Sequence, residues 1–145
     1  PNHLLRLIVL HRRFLDEDIA KSINSEHTSR KKELMFMHIL QSLEEFEQFK
    51  TGTKPVIFEF TADWCPDCRF IDPFMPEVVE KFADYEFVKV NRDDFIDLCI
   101  ELNVIGIPSF VAYKQGTELG RFVSKDRKTQ EEIEHFIGSL KEQKR

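Results

Sequence analysis

Apolar residues in this chain recur with two rhythms, every second position in some stretches and every third or fourth in others, and the alternation predicts strands interleaved with helices. Met35 to Leu40 is a short apolar run that reads as an edge strand. Ser42-Leu43-Glu44-Glu45 then supplies a capping box for a helix through Phe49, with Leu43, Phe46 and Phe49 as its buried face. After a turn at Thr51-Gly52-Thr53, Pro55 to Phe60 is apolar on both sides, the mark of a central strand, and Glu59 is its one exception.

A helix from Cys65 is expected to run to about Ala83, broken or kinked near Asp72 to Pro76, because Pro73 and Pro76 each remove a helical hydrogen bond and crowd the preceding turn. Phe87 to Val90 reads as the next strand, and a helix from Asp93 or Asp94 to Leu102 carries the stripe Phe95, Leu98, Cys99, Leu102. That stripe accounts for Cys99 as a core thiol. Ser109 to Tyr113, the turn Lys114-Gln115-Gly116 and Thr117 to Val123 read as a hairpin. A second capping box, Thr129-Gln130-Glu131-Glu132, opens a last helix with Ile133, Phe136, Ile137 and Leu140 on one face, and the charged tail from Lys141 to Arg145 is expected to fray. With right-handed crossovers this order gives an α/β fold, a mixed central sheet with helices on both faces.

Composition narrows the function classes. The 145 residues suffice for one domain with one substantial core, and the 41% hydrophobic content with 14 phenylalanines excludes a disordered chain. A net charge of -5 argues against nucleic acid as the main partner. No apolar run approaches the length of a membrane helix, so no membrane association is expected. Three cysteines cannot form a fully paired framework and fall short of a four-ligand zinc site, which fits a reducing, cytoplasmic setting without metal or cofactor. Residues 1–34 contain no glycine and no chemical motif, and Met35 and Met37 stand just before the first well-patterned element. The expected division is therefore an N-terminal extension, non-native or flexible, over 1–34 and one domain over 35–145.

The chemistry concentrates in Trp64-Cys65-Pro66-Asp67-Cys68, where two thiols three positions apart adjoin the only tryptophan. Residues at that spacing share a helical face, so the pair can close a small disulfide. Cys65 would stand where unpaired N–H groups favour a thiolate, and Pro66 suits the first helical position. A structural pair or half of a metal site is the plainer alternative.

Phe58-Glu59-Phe60-Thr61-Ala62-Asp63-Trp64-Cys65-Pro66-Asp67-Cys68, the helix proline Pro73, Val88-Lys89-Val90-Asn91 and Gly106-Ile107-Pro108-Ser109, followed by a hairpin and a terminal helix, together resemble the thioredoxin family over nearly all of residues 37–143. The resemblance implies a thioredoxin fold with four to five strands and a thiol-disulfide oxidoreductase working as a reductant. It implies that Cys65 attacks a substrate disulfide and Cys68 resolves the mixed disulfide. Glu59 stands where the family has a buried acid that takes the resolving thiol's proton, and Lys89 matches a lysine beside it. Trp64, the Pro66-Asp67 dipeptide and Ile107-Pro108, a cis-proline loop in the family, would contact substrate. The implied partners are disulfide-containing proteins or small thiols and a thioredoxin-reductase-like electron donor, with the protein a monomer.

Three departures stand out. Asp67 favours the helix start but opposes a thiolate at Cys65, Glu59 replaces the family's aspartate, and Ser124 stands where glycine is usual in the substrate groove. Two other readings keep the same fold: a binding or scaffold module without turnover, and a disulfide oxidase or isomerase.

Overall fold

The computed structural model describes residues 37–143, with side chains through Leu140. The expected extension over 1–34, and Met35 and Phe36, lie outside the described residues. Five strands form one sheet: β1 (His38–Ile39), β2 (Val56–Thr61), β3 (Glu86–Asn91), β4 (Ser109–Lys114) and β5 (Thr117–Phe122). They lie in the order β1-β3-β2-β4-β5. β3 runs parallel to both β1 and β2, whereas β4 is antiparallel to β2 and to β5. This is the mixed sheet that the element order predicts, with β2 at its centre and buried on both faces.

The period-two alternation of the strands divides the core into two layers. Val56, Phe58 and Phe60 of β2, with Val88, Val90, Val111 and Tyr113, face helices α1 (Leu43–Thr51) and, after β3, Ile96–Glu101. On the opposite face Ile57, Phe87, Phe110 and Ala112 pack against Pro66–Ile71, Met75–Lys81 and the last helix, Gln130–Gln143. In chain order these four helices after α1 are α2 (Pro66–Ile71), α3 (Met75–Lys81), α4 (Ile96–Glu101) and α5 (Gln130–Gln143).

The helix ends follow the local chemistry. Ser42 caps α1 by accepting from Glu45 N–H at 3.1 Å, but the Glu45 carboxylate reaches to Gln41 N–H and His38 instead of closing the expected box on Ser42. At α5 the box is reciprocal: Thr129 Oγ1 accepts from Glu132 N–H, and Thr129 N–H donates to Glu132. The proline-rich segment splits one expected helix into two, with Pro73 in the break and Pro76 in the first turn of α3. Leu43 departs from expectation, being exposed. Positions 43, 46 and 49 sweep about 120° around a helix, so a stripe centred on the buried Phe46 leaves its edge residues partly or wholly out. α4 is shorter than predicted, though Leu98 and Cys99 are buried as its stripe requires. The hairpin turn is tight because Gln115 and Gly116 both adopt positive φ, 51° and 84°.

After α4, Asn103 turns left-handed at φ 58° and Val104 N–H donates back to Cys99 O, sending the chain into the 104–108 loop. Gly106 in that loop is forced by close approach: a Cβ there would stand 2.4 Å from Ser124 O and 2.6 Å from Lys125 N, both rigid backbone. Gly106→Ala is expected to cost about 2 kcal/mol by overpacking, measurable as a lower midpoint in urea with unchanged slope.

Candidate active site

β2 delivers the chain directly to the dithiol. Cys65 occupies the N-cap of α2 in extended backbone, and its sulfur accepts the Cys68 N–H at 3.3 Å, the position a Ser or Asp oxygen usually fills. Pro66 holds the first helical position, where its missing N–H costs nothing. The Cys65 thiol also lies 3.9 Å from Ile107 O. The Ile107–Pro108 peptide bond is cis, and Pro108 is buried. Cys65, Cys68, Ala62 and Ile107 thus form a small apolar cluster of their own.

Both thiols are buried, Cys65 at 5% exposure and Cys68 at 1%. Cys68 is the deeper, and burial, then its contact with Cys65, pushes its thiol well up from the ordinary value. Cys65 follows Trp64, which is 54% exposed and fixed by an indole N–H bond to Asp93 at 2.7 Å. Arg92 lies over the indole face. Phe70, on α2, and Ile105, in the loop that carries Ile107, are exposed as well.

Beneath the dithiol lies a buried acid. Alternation puts Glu59 on the α2 face of β2, in register with Lys89 on β3 and Phe110 on β4, and it is 0% exposed. Neither carboxylate oxygen has a hydrogen-bond partner among the described residues. Burial pushes its pKa up to about 7, against the pull of Lys89 and with the help of Asp72. Lys89 does not bond Glu59; its ammonium donates to Asp72 Oδ1 at 3.2 Å. Burial opposes the Lys89 charge, but the Glu59 and Asp72 carboxylates outweigh it and raise its pKa, and the Cys68 sulfur adds to the same field. Glu59, Lys89, Asp72 and Cys68 therefore belong to one electrostatic group.

The remaining expected residues also meet here. Asp67, in the first turn of α2, accepts from Arg127 Nε at 2.8 Å. Ser124 packs its backbone against Gly106, and its carbonyl accepts from Ser109 Oγ. Sequence reasoning did not find Asp72, Asp93, Arg127 or Lys128. Asp72, Asp93 and Arg127 act through partners distant in the chain, and Lys128 through its own loop; the one available signal was that the C-terminal end of β2 gathers the loops around the motif. Cys99 is a core thiol of the α4 layer, pushed up by burial and remote from the pair's own cluster.

A mixed sheet that ends its central strand in a capped Cys-x-x-Cys, faced by a cis-proline loop, defines a thiol-disulfide oxidoreductase of the thioredoxin fold. Residues 37–139 match the family model described as Thioredoxin, and the chain belongs to that family. It is 41% identical over 80 residues to a thioredoxin H-type of Fagopyrum esculentum, covering 55% of this chain and 69% of that one. It is 33% identical over 96 residues to thioredoxin of Gallus gallus, covering 66% and 89%. Its fold is similar to that of thioredoxin from Trypanosoma brucei brucei, with a TM-score of 0.66 at 21% identity over 73% of this chain and 91% of that one. Like its relatives, the protein is a protein disulfide reductase acting through a Cys-x-x-Cys pair.

The buried acid sets a pH dependence. The native pKa of Glu59, about 7, stands above the ordinary 4.5, so between these values the folded state holds a proton that the unfolded state has lost. Stability contributed by this proton is full below about pH 4.5 and is lost as pH rises through about 7. Thermal unfolding of Glu59→Gln is expected to lack that decline, which in the wild type amounts to on the order of 3 kcal/mol. An equally steep decline in the variant would assign it elsewhere.

Proposed function

We propose that Cys65 is the attacking thiolate, Cys68 the resolving thiol and Glu59 the group that accepts the Cys68 proton, with Lys89 tuning that acid. The observation carrying this reading is the capping bond: Cys65 Sγ accepts the Cys68 N–H at the start of α2, while Cys68 lies within the first turn with its proton held firmly by burial. Cys65 Sγ attacks one sulfur of a substrate disulfide, forming the mixed disulfide and releasing the other sulfur as a thiolate that takes up a proton. Cys68 then gives its proton to Glu59 and attacks Cys65 Sγ, expelling the substrate's second thiolate. The substrate gains two electrons and the pair is left oxidised. A carboxyl that titrates near neutrality suits this transfer, because it can hold and release a proton at working pH.

Trp64, Pro66, Ile107 and Pro108 provide the contact surface, and the exposed apolar side chains of Trp64, Phe70 and Ile105 favour protein segments over small polar thiols. A second pair of electrons must come from a dithiol reductase of the thioredoxin-reductase type. A cysteine count too low for a disulfide framework supports a reducing compartment such as the cytoplasm, and a monomer suffices because one chain holds every group used.

The test uses a disulfide protein substrate and thiol-trapping gels. Cys65→Ser is expected to abolish reduction, and Cys68→Ser to accumulate mixed disulfides. Glu59→Gln should slow release of the mixed disulfide by about tenfold or more while leaving its formation near the wild-type rate. Trapping through Cys68 instead of Cys65, or unchanged release without Glu59, would reverse the assignment.

A further inference from the structure

A carboxylate set between two redox thiols opposes the negative charge that the attacking sulfur must carry. The structure meets Asp67 with a basic loop from the far end of the chain. Arg127, between β5 and α5, donates Nε to Asp67 Oδ1 at 2.8 Å, and its guanidinium lies 4.4 Å from the centroid of the Phe70 ring. Both contacts are to α2, so Arg127 is laid along the helix that carries the dithiol.

Taken alone, the pair would count for little, since the Arg127 side chain is 54% exposed and that of Asp67 32%. The adjoining residue changes this. Lys128 is 1% exposed, an unusual burial for lysine. Its ammonium donates to Ser124 O at 3.3 Å, Ser124 Oγ at 3.1 Å and Asp126 O at 3.0 Å, so all three N–H groups have acceptors within the loop. The Phe122 ring lies beside it. Burial lowers its pKa, while Asp126, Cys68 and Asp67 pull the other way, which puts its charge within the field of the active site. Those bonds close residues 124–128 into a fixed arc. The arc is seated on the cis-proline loop, because Ser124 O accepts from Ser109 Oγ and abuts Gly106. Arg127 is therefore presented to Asp67 by a loop already held in place, and little side-chain and backbone freedom remains to be lost when the pair forms.

We propose that Arg127, positioned by the loop that buried Lys128 ties together, cancels the charge of Asp67 and so keeps Cys65 a competent nucleophile. Arg127 is a positioning residue that acts through Asp67, and the proposal rests on Cys65 being the attacking thiol. It deepens that reading by making the Pro66-Asp67 dipeptide half of a compensated unit.

The rate at which neutral iodoacetamide alkylates the reduced protein at neutral pH and low salt, read by mass spectrometry at Cys65, tests this. Arg127→Gln is expected to react about threefold slower than wild type, the effect of one uncompensated charge near the sulfur. Arg127→Lys should recover most of the rate, high salt should shrink the defect, and Arg127→Gln with Asp67→Asn should return close to wild type. A wild-type rate in folded Arg127→Gln would overturn the proposal. So would a double variant as slow as Arg127→Gln alone, because the loss would then be one of shape and not of charge. Cys65→Ser separates the two readings: if alkylation of the reduced pair persists unchanged at Cys68, the assignment of the nucleophile fails, whatever Arg127 does.

Discussion

The bond from Cys68 N–H to Cys65 Sγ is the constraint on which the site depends, because it makes one thiol the cap of the helix that contains the other. A cap residue is half outside its helix, so Cys65 leaves β2 in extended backbone and turns its sulfur over the first turn. Cys68, one turn in, points its sulfur toward the sheet and is buried. The placement of one thiol at the cap and the other within the first turn thus arises from a capping rule. Pro66 strengthens it by starting the helix at no cost in hydrogen bonds, and the loop carrying Ile107 closes the remaining side.

Glu59 shows what the site costs the fold. An apolar residue would suit the centre of β2 better, since a buried carboxyl without hydrogen bonds forfeits on the order of 1 to 3 kcal/mol. Its placement beside Lys89 would ordinarily yield an ion pair and a carboxylate ionised throughout the neutral range. Asp72, at the break between α2 and α3, takes the Lys89 hydrogen bond instead. Burial then outweighs the lysine's pull on Glu59, and the acid titrates near neutrality. The proline-driven break that interrupts the helix therefore also supplies the group that frees Glu59 from its neighbour.

The parts of this architecture legible in the sequence were those governed by local rules. The apolar run of β2 around Glu59, the turn at Gln115-Gly116 and the cap at Thr129 each need only neighbouring residues, and each was read correctly in kind. Errors came at boundaries and at stripe edges, as with Leu43, where a three-residue spacing drifts around the helix. The contacts that set charge at the site were not legible. Trp64 with Asp93, Lys89 with Asp72 and Asp67 with Arg127 join residues far apart in the chain, and only the completed topology brings them together. Lys128 was hidden for a different reason. Hydropathy places a lysine outside, and its burial follows from three acceptors that exist only once the loop has closed.

Gly106 shows why the distant pieces behave as one. Without a Cβ it lets the Ser124 backbone lie against the cis-proline loop, so the surface that would receive a substrate and the arc that carries Arg127 share a single contact. Read as five residues, Trp64-Cys65-Pro66-Asp67-Cys68 describes a nucleophile weakened by its own carboxylate. Read with the arc, the same five residues have their one carboxylate paired with Arg127, in a loop about sixty residues downstream. Two chains with the same motif but different loops after β5 would therefore differ in reactivity, and the unit to compare between them is the motif together with its arc.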